Sequence, residues 1–155
     1  MSHARLAGLA GALLLGAGLW AAAFPTPTRA AVAAPAGPPQ LYTSAQATAG
    51  KAVYDASCTS CHGAQLQGVS APPLVGSGFS GSPLTLGQFH QTVTTEMPFD
   101  NPGSLTPEQY ADVIAYLLAA NCYPAGASPY PVGGDKAHAD LKVTTQGNGQ
   151  LCIPK

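Results

Sequence analysis

Cys58-Thr59-Ser60-Cys61-His62 is the stretch on which the reading of this chain turns. The spacing C-x-x-C-H places two thiols about one helical turn apart, with an imidazole directly after the second. Each thiol can bond one vinyl-derived carbon of a porphyrin, and His62 then lies under the iron as proximal ligand. A redox-active C-x-x-C would call for a βαβ context, which the surrounding sequence lacks. Half a zinc site would call for a second C-x-x-C or H-x-H element, also missing. The pentapeptide therefore reads as the attachment site for one covalently bound haem c, through Cys58, Cys61 and His62.

Upstream, Thr43-Ser44-Ala45-Gln46 fits a capping box and starts a helix predicted to run to about Ser57. Gly50 inside that helix costs about 1 kcal/mol relative to Ala. It is either simply tolerated or marks a close approach by another helix. Downstream, Thr85 with Gln88 opens a second helix ending near Glu96, and Pro98 turns Met97 out of helical geometry. The third helix has the clearest signals. Thr106-Pro107-Glu108-Gln109 supplies a cap, a first-turn proline and the completing glutamine. Tyr110, Val113, Ile114, Leu117 and Leu118 then form one apolar face. Asn121 and Pro124 end it. Lys142 to Thr145 is the one stretch that reads as a short strand.

The iron's sixth position needs a donor. Only two Met occur in the chain, and Met1 belongs to the export segment described below, so Met97 is the one thioether available. A lone Met is ordinarily a core filler, but the haem motif and the stiffening Pro98 favour Met97 as ligand. His90, within a helix, and His138, in a polar tail, are the rival donors.

The N-terminus reads as an export signal. Arg5 gives a short positive start, Leu6 to Phe24 carries no charge, and the small residues of Thr28-Arg29-Ala30 and Ala31-Val32-Ala33 offer cleavage after Ala30 or after Ala33. An uncleaved membrane anchor is the alternative. Either way the rest of the chain is placed outside the cytoplasm, in the periplasm. Residues 1–33 are thus assigned to the signal peptide, 34–42 to a flexible Pro/Ala/Gly leader, 43–122 to the folded domain and 123–155 to an extended tail. Cys122 and Cys152 remain after the haem pair; in an oxidising compartment such a pair is usually bridged, and free thiols or an intermolecular bond are the alternatives. The bridge would tie the tail back to the last helix.

Composition narrows the function. The 155 residues carry 6 Lys+Arg, 7 Asp+Glu and a net charge of −1, so there is no basic stripe to hold a nucleic acid. Gly 18 and Pro 15 point to long loops, while 46% hydrophobic content argues against global disorder.

These elements together make the chain resemble a monohaem class I cytochrome c. The resemblance rests on Gly50-x-x-x-Tyr54-x-x-x-Cys58-x-x-Cys61-His62-Gly63, on Ala71-Pro72-Pro73-Leu74-Val75-Gly76, on Met97-Pro98 and on Tyr110 to Leu118, and covers about residues 43–121. It is strongest to exported cytochromes serving periplasmic quinoprotein dehydrogenases. In those the last helix often ends Asn-Gly-Tyr-Pro; here the stretch is Asn121-Cys122-Tyr123-Pro124, so Cys122 departs from the pattern. The resemblance implies an all-α fold of three to four helices around the haem, with a mostly irregular C-terminal tail. It implies that Gly50 lets the first and last helices cross, with Tyr54 and Tyr116 packing there, and that the Pro72 carbonyl accepts the second N–H of His62. Phe79, Phe89 and Phe99 are candidates for the haem wall.

A His/Met-ligated haem has no open coordination site, and so describes a one-electron carrier rather than an enzyme. The expected partners are periplasmic redox proteins, a quinoprotein dehydrogenase as donor and an oxidase as acceptor. The alternatives are a permanently docked subunit of a dehydrogenase or oxidase complex, and a haem enzyme or gas sensor with a labile sixth ligand.

Overall fold

The computed structural model describes residues 37–81, 83–146 and 151–152; the expected signal peptide lies outside them. The described chain forms five α-helices and one 3₁₀ turn: α1 (Ser44–Ser57), α2 (Thr59–His62), α3 (Gly76–Ser80), α4 (Leu86–Glu96), α5 (Pro107–Ala120) and the turn Lys136–His138. Among the described residues no helix is long and apolar enough to cross a membrane. The three long helices fall where local signals put them. Thr85/Gln88 and Thr106/Gln109 both close as full capping boxes, and Pro107 sits in the first turn of α5. The helices α2 and α3 are too short to leave a periodic pattern.

The helices α1 and α5 cross at Gly50. A Cβ built there would lie 1.8 Å from the Asp112 carbonyl oxygen, so only a hydrogen fits at the crossing. Tyr54 and Tyr116 meet beside it with ring centroids 5.2 Å apart. The helix α5 is buried on more than its expected face: Ala111, Ala115, Tyr116 and Ala120 are also shielded from solvent. At Tyr116 that cover comes from α1, through Gly50 and Tyr54, and past the end of α5 the chain runs on into the C-terminal segment.

That segment is a belt rather than a loose tail. Tyr123, Tyr130 and Val143 are each buried. The Tyr123 amide bonds Leu118 O, the Gly126 amide bonds Tyr42 O, and the first free amides of α4, on Leu86 and Gly87, donate to Leu141 O and Ala139 O. The belt thus satisfies donors that every helix start leaves open. Lys142 to Thr145 does not form a strand; it makes one antiparallel bridge, Lys142 to Thr85, because its neighbour is a helix start rather than an extended edge. Gln46 also departs from expectation. Thr43 does accept the Gln46 amide, but the Gln46 side chain pairs with the backbone of Tyr130 at 2.6 and 3.0 Å instead of reaching back. Buried main-chain groups of the belt are thereby satisfied. Leu41 and Tyr42, expected as the end of a flexible leader, are buried, and the Tyr42 hydroxyl donates to Tyr123 O at 2.6 Å.

Cys122 and Cys152 are joined by a disulfide, with Cα atoms 5.1 Å apart. Peptide mapping of the unreduced protein is expected to recover one linked pair, 122 with 152, and two alkylatable thiols in native protein would count against it. In the chain-entropy picture a loop of 30 residues contributes on the order of 3–4 kcal/mol.

Candidate haem site

Cys58 ends α1 and caps the single turn of α2, with the His62 amide bonded to Cys58 O at 2.9 Å. The chain then folds under the motif. The amides of Val69, Ser70 and Ala71 all converge on Cys61 O at 3.0–3.1 Å, and that of Gly68 on His62 O at 2.8 Å. Gly68 has φ +79°, and a Cβ there would press on the backbone of Ala71 and Pro73, so the reversal requires glycine. The Tyr54 hydroxyl, buried in the α1–α5 crossing, donates to Gly63 O at 2.7 Å and ties the motif to the helix pair.

This fold brings Pro72 over His62: its carbonyl lies 2.8 Å from Nδ1. A carbonyl only accepts, so Nδ1 carries the proton and Nε2 is left with a lone pair to donate. Cys58 and Cys61 are unpaired thiols, the first half-buried and the second exposed. As a free thiol, before any haem is attached, Cys58 is pushed up to about 11 by burial, with the neighbouring Cys61 adding to it.

Cys58, Cys61, His62, Pro72 and Met97 all line one cavity of about 710 Å³. Apolar residues dominate its walls: Leu74 and Phe79 on one side, Phe89 and Val93 of α4, and Val113 and Leu117 of α5. The volume is within the range of about 300–1,000 Å³ usual for cofactor sites. Two thiols, an imidazole with Nε2 bare and a thioether around an apolar slot are the donor set of a covalently held haem, and the residues fit that group. Of the three candidate wall aromatics, Phe79 and Phe89 pack edge to face at 5.8 Å. Phe99 also lines the cavity but is 84% exposed, and so stands at its mouth rather than in its wall.

Met97 is the C-cap of α4, in extended geometry, and its bond to Pro98 is cis. Its backbone is held from α5: the Tyr110 hydroxyl donates to Met97 O at 2.7 Å and accepts the Gly103 amide at 3.0 Å. Tyr110 reads in the sequence as one more apolar-face residue; only its polar end marks it as the support of the Met97 loop.

The rival donors lie elsewhere. His138 pairs with Asp135 at 2.8 Å within the belt. His90 stacks on Tyr130, whose hydroxyl is 3.3 Å from Nδ1, and neither histidine lines the cavity. Burial holds the His90 imidazole below its ordinary 6.5. As pH falls below that value, the unfolded chain binds the proton first, so stability is lost through this window. Replacing His90 by Phe is expected to flatten the acid fall of Tm there; an unchanged slope would assign that fall to other groups.

Residues 45–117 match the family described as cytochrome c oxidase, cbb3-type, subunit III. Among solved structures, the sulfane dehydrogenase SoxCD from Paracoccus pantotrophus is similar, with 28% identity and a TM-score of 0.40. That similarity covers 46% of this chain and 41% of the SoxCD chain, so the match spans less than half of that chain. No curated protein matches the sequence.

Proposed function

Residues 45–117 are a monohaem class I cytochrome c domain with one covalently bound haem c, serving haem-based electron transfer, and on that premise we propose that the protein is a periplasmic one-electron carrier whose iron is held by His62 and Met97. When bound, the haem supplies a one-electron change at iron with little ligand movement. The chain's own residues do the rest. Cys58 and Cys61 hold the group through thioethers. Pro72 fixes the His62 ring and strengthens its donor nitrogen. Tyr110 holds the Met97 loop, and the apolar walls keep water away, which together with a thioether ligand favours the reduced state.

The observation that carries this reading is the convergence of His62 and Met97 on one cavity from which His90 and His138 are turned away. A distal histidine or arginine of the kind a peroxidase would use is lacking: among the described lining residues His62 is the one histidine, and no arginine occurs after Arg29. The proposed donor is a periplasmic dehydrogenase, of the quinoprotein kind, and the acceptor an oxidase. A permanently docked oxidase subunit is the second reading, favoured by the description of the matching family; co-purification in a stable complex would decide for it.

Partner encounter follows from charge. Lys51 is the only lysine between residues 31 and 135, and it is engaged by Asp55 at 2.6 Å. Asp100 lines the cavity and Phe99 stands exposed at its mouth. Long-range steering is therefore weak, and contact leans on a small apolar patch. In stopped-flow mixing with candidate dehydrogenases and oxidases, the second-order rate is expected to fall only a few-fold, roughly, from low to physiological salt. Phe99→Ser is expected to slow it about tenfold, the loss of one aromatic anchor. A hundred-fold fall with salt, on the order of what steered pairs show, would overturn this.

A further inference from the structure

We infer that Asn121 and Thr145 are positioning residues for the proximal ligand, fixing the turn at 74–76 and, through it, the Pro72 carbonyl that orients His62. The inference rests on His62 as a ligand of the iron. Asn121 ends α5 and is fully buried. A helix-ending asparagine needs only a local partner, here Leu117 O at 2.8 Å. Its amide nitrogen also reaches across the fold to Leu74 O at 2.8 Å, and its oxygen accepts the Thr145 hydroxyl at 2.5 Å. That hydroxyl oxygen in turn accepts the Gly76 amide at 2.8 Å, and the Thr145 amide donates to Ser80 Oγ at 2.9 Å. The end of α5, the belt and the 74–80 segment are thus locked in one neutral network.

The path from this network to the ligand is short and stiff. Between Leu74 and the Pro72 carbonyl that His62 uses lies one residue, Pro73, whose ring fixes its φ. The Leu74 amide is itself pinned to Leu66 O at 2.9 Å. Where Leu74 sits therefore sets where Pro72 O sits, and that carbonyl sets the orientation and basicity of the imidazole. Without the Thr145 hydroxyl, Asn121 Oδ1 and the Gly76 amide lose their partner and the network has to rearrange. A weaker bond from His62 Nδ1–H makes the ring a poorer donor, which stabilises oxidised iron less and raises the potential.

The test uses the full haem-loaded protein and three variants. Readouts are the midpoint potential, NMR exchange of the His62 Nδ1 proton, and the near-infrared sulfur-to-iron band. Thr145→Val is expected to raise the potential and speed that exchange about five- to tenfold, the loss of one hydrogen bond, with the band unchanged. Thr145→Ser, which keeps the hydroxyl, should match wild type. Ser80→Ala, at a partly exposed site, should shift both in the same direction by less, and decides the matter if Thr145→Val does not fold. Wild-type potential and exchange in the Val variant would overturn the proposal. So would loss of the band, which would move the effect to the Met97 side, or a Ser variant displaced as far as Val. If the His62 ring shows no paramagnetic shift in oxidised wild type, the ligand assignment itself fails, visibly before any variant is compared.

Discussion

Met97→Ala is expected to abolish the weak near-infrared sulfur-to-iron band, lower the midpoint potential, and let small external ligands such as imidazole bind. Met97 is the one thioether beyond the first residue, its side chain lines the haem cavity, and Tyr110 holds its carbonyl at 2.7 Å. Thioether ligation raises the potential, so its loss lowers it. The companion variant His90→Ala should leave band and potential in place, because His90 is committed to Tyr130 and lies outside the cavity lining. Survival of the band in Met97→Ala, or its disappearance in His90→Ala, would show that the sixth ligand had been misassigned.

Gly50→Ala is the second large effect expected, this time on stability. The added Cβ would sit 1.8 Å from Asp112 O, 2.4 Å from the attached carbon and 3.0 Å from Tyr116 Cβ. Two of those atoms are backbone of α5 and cannot turn aside, so the two helices must separate. Overpacking of this kind costs about 1–3 kcal/mol, occasionally more, against the roughly 1 kcal/mol that alanine gains over glycine in a helix. Because the clash is with backbone, the upper end of that cost applies, and the resulting net loss of about 2 kcal/mol corresponds to a fall in Tm of roughly 8–16 °C for a domain of this size. Scanning calorimetry of the haem-loaded protein reads it directly, and an unchanged or raised Tm would mean that the crossing is looser than the geometry gives.

What could be read before any coordinates was whatever depends on a short span of chain. The C-x-x-C-H turn, the Thr85 and Thr106 capping boxes and the apolar spacing from Tyr110 to Leu118 are all complete within a dozen residues or so, and the long helices follow them. The position of Pro72 over His62 came by way of the family resemblance. What stayed hidden depends on partners far along the chain. Tyr42 looks like the end of a leader because its partners, Tyr123 and Gly126, are some eighty positions away. Gln46 looks like a cap completer until Tyr130 arrives with a better use for it. The helices α2 and α3 last one turn and are imposed by the loops around them. Asn121 looks like a helix stop; nothing local announces its bond to Leu74.

The tyrosine hydroxyls of Tyr42, Tyr54, Tyr110 and Tyr123 each meet a main-chain carbonyl from a different stretch of chain. Gln46, Asn121 and Thr145 add further side-chain ties across the fold. All of these groups are uncharged, and the two ion pairs among the described residues are local, Lys51 with Asp55 and His138 with Asp135. Architecture of this kind gives dissolved ions little to screen and, His90 apart, gives acid little to protonate among the ties themselves. A cytochrome domain so built keeps its long-range ties as salt and pH vary, and confines its engaged carboxylates, Asp55 and Asp135, to local contacts.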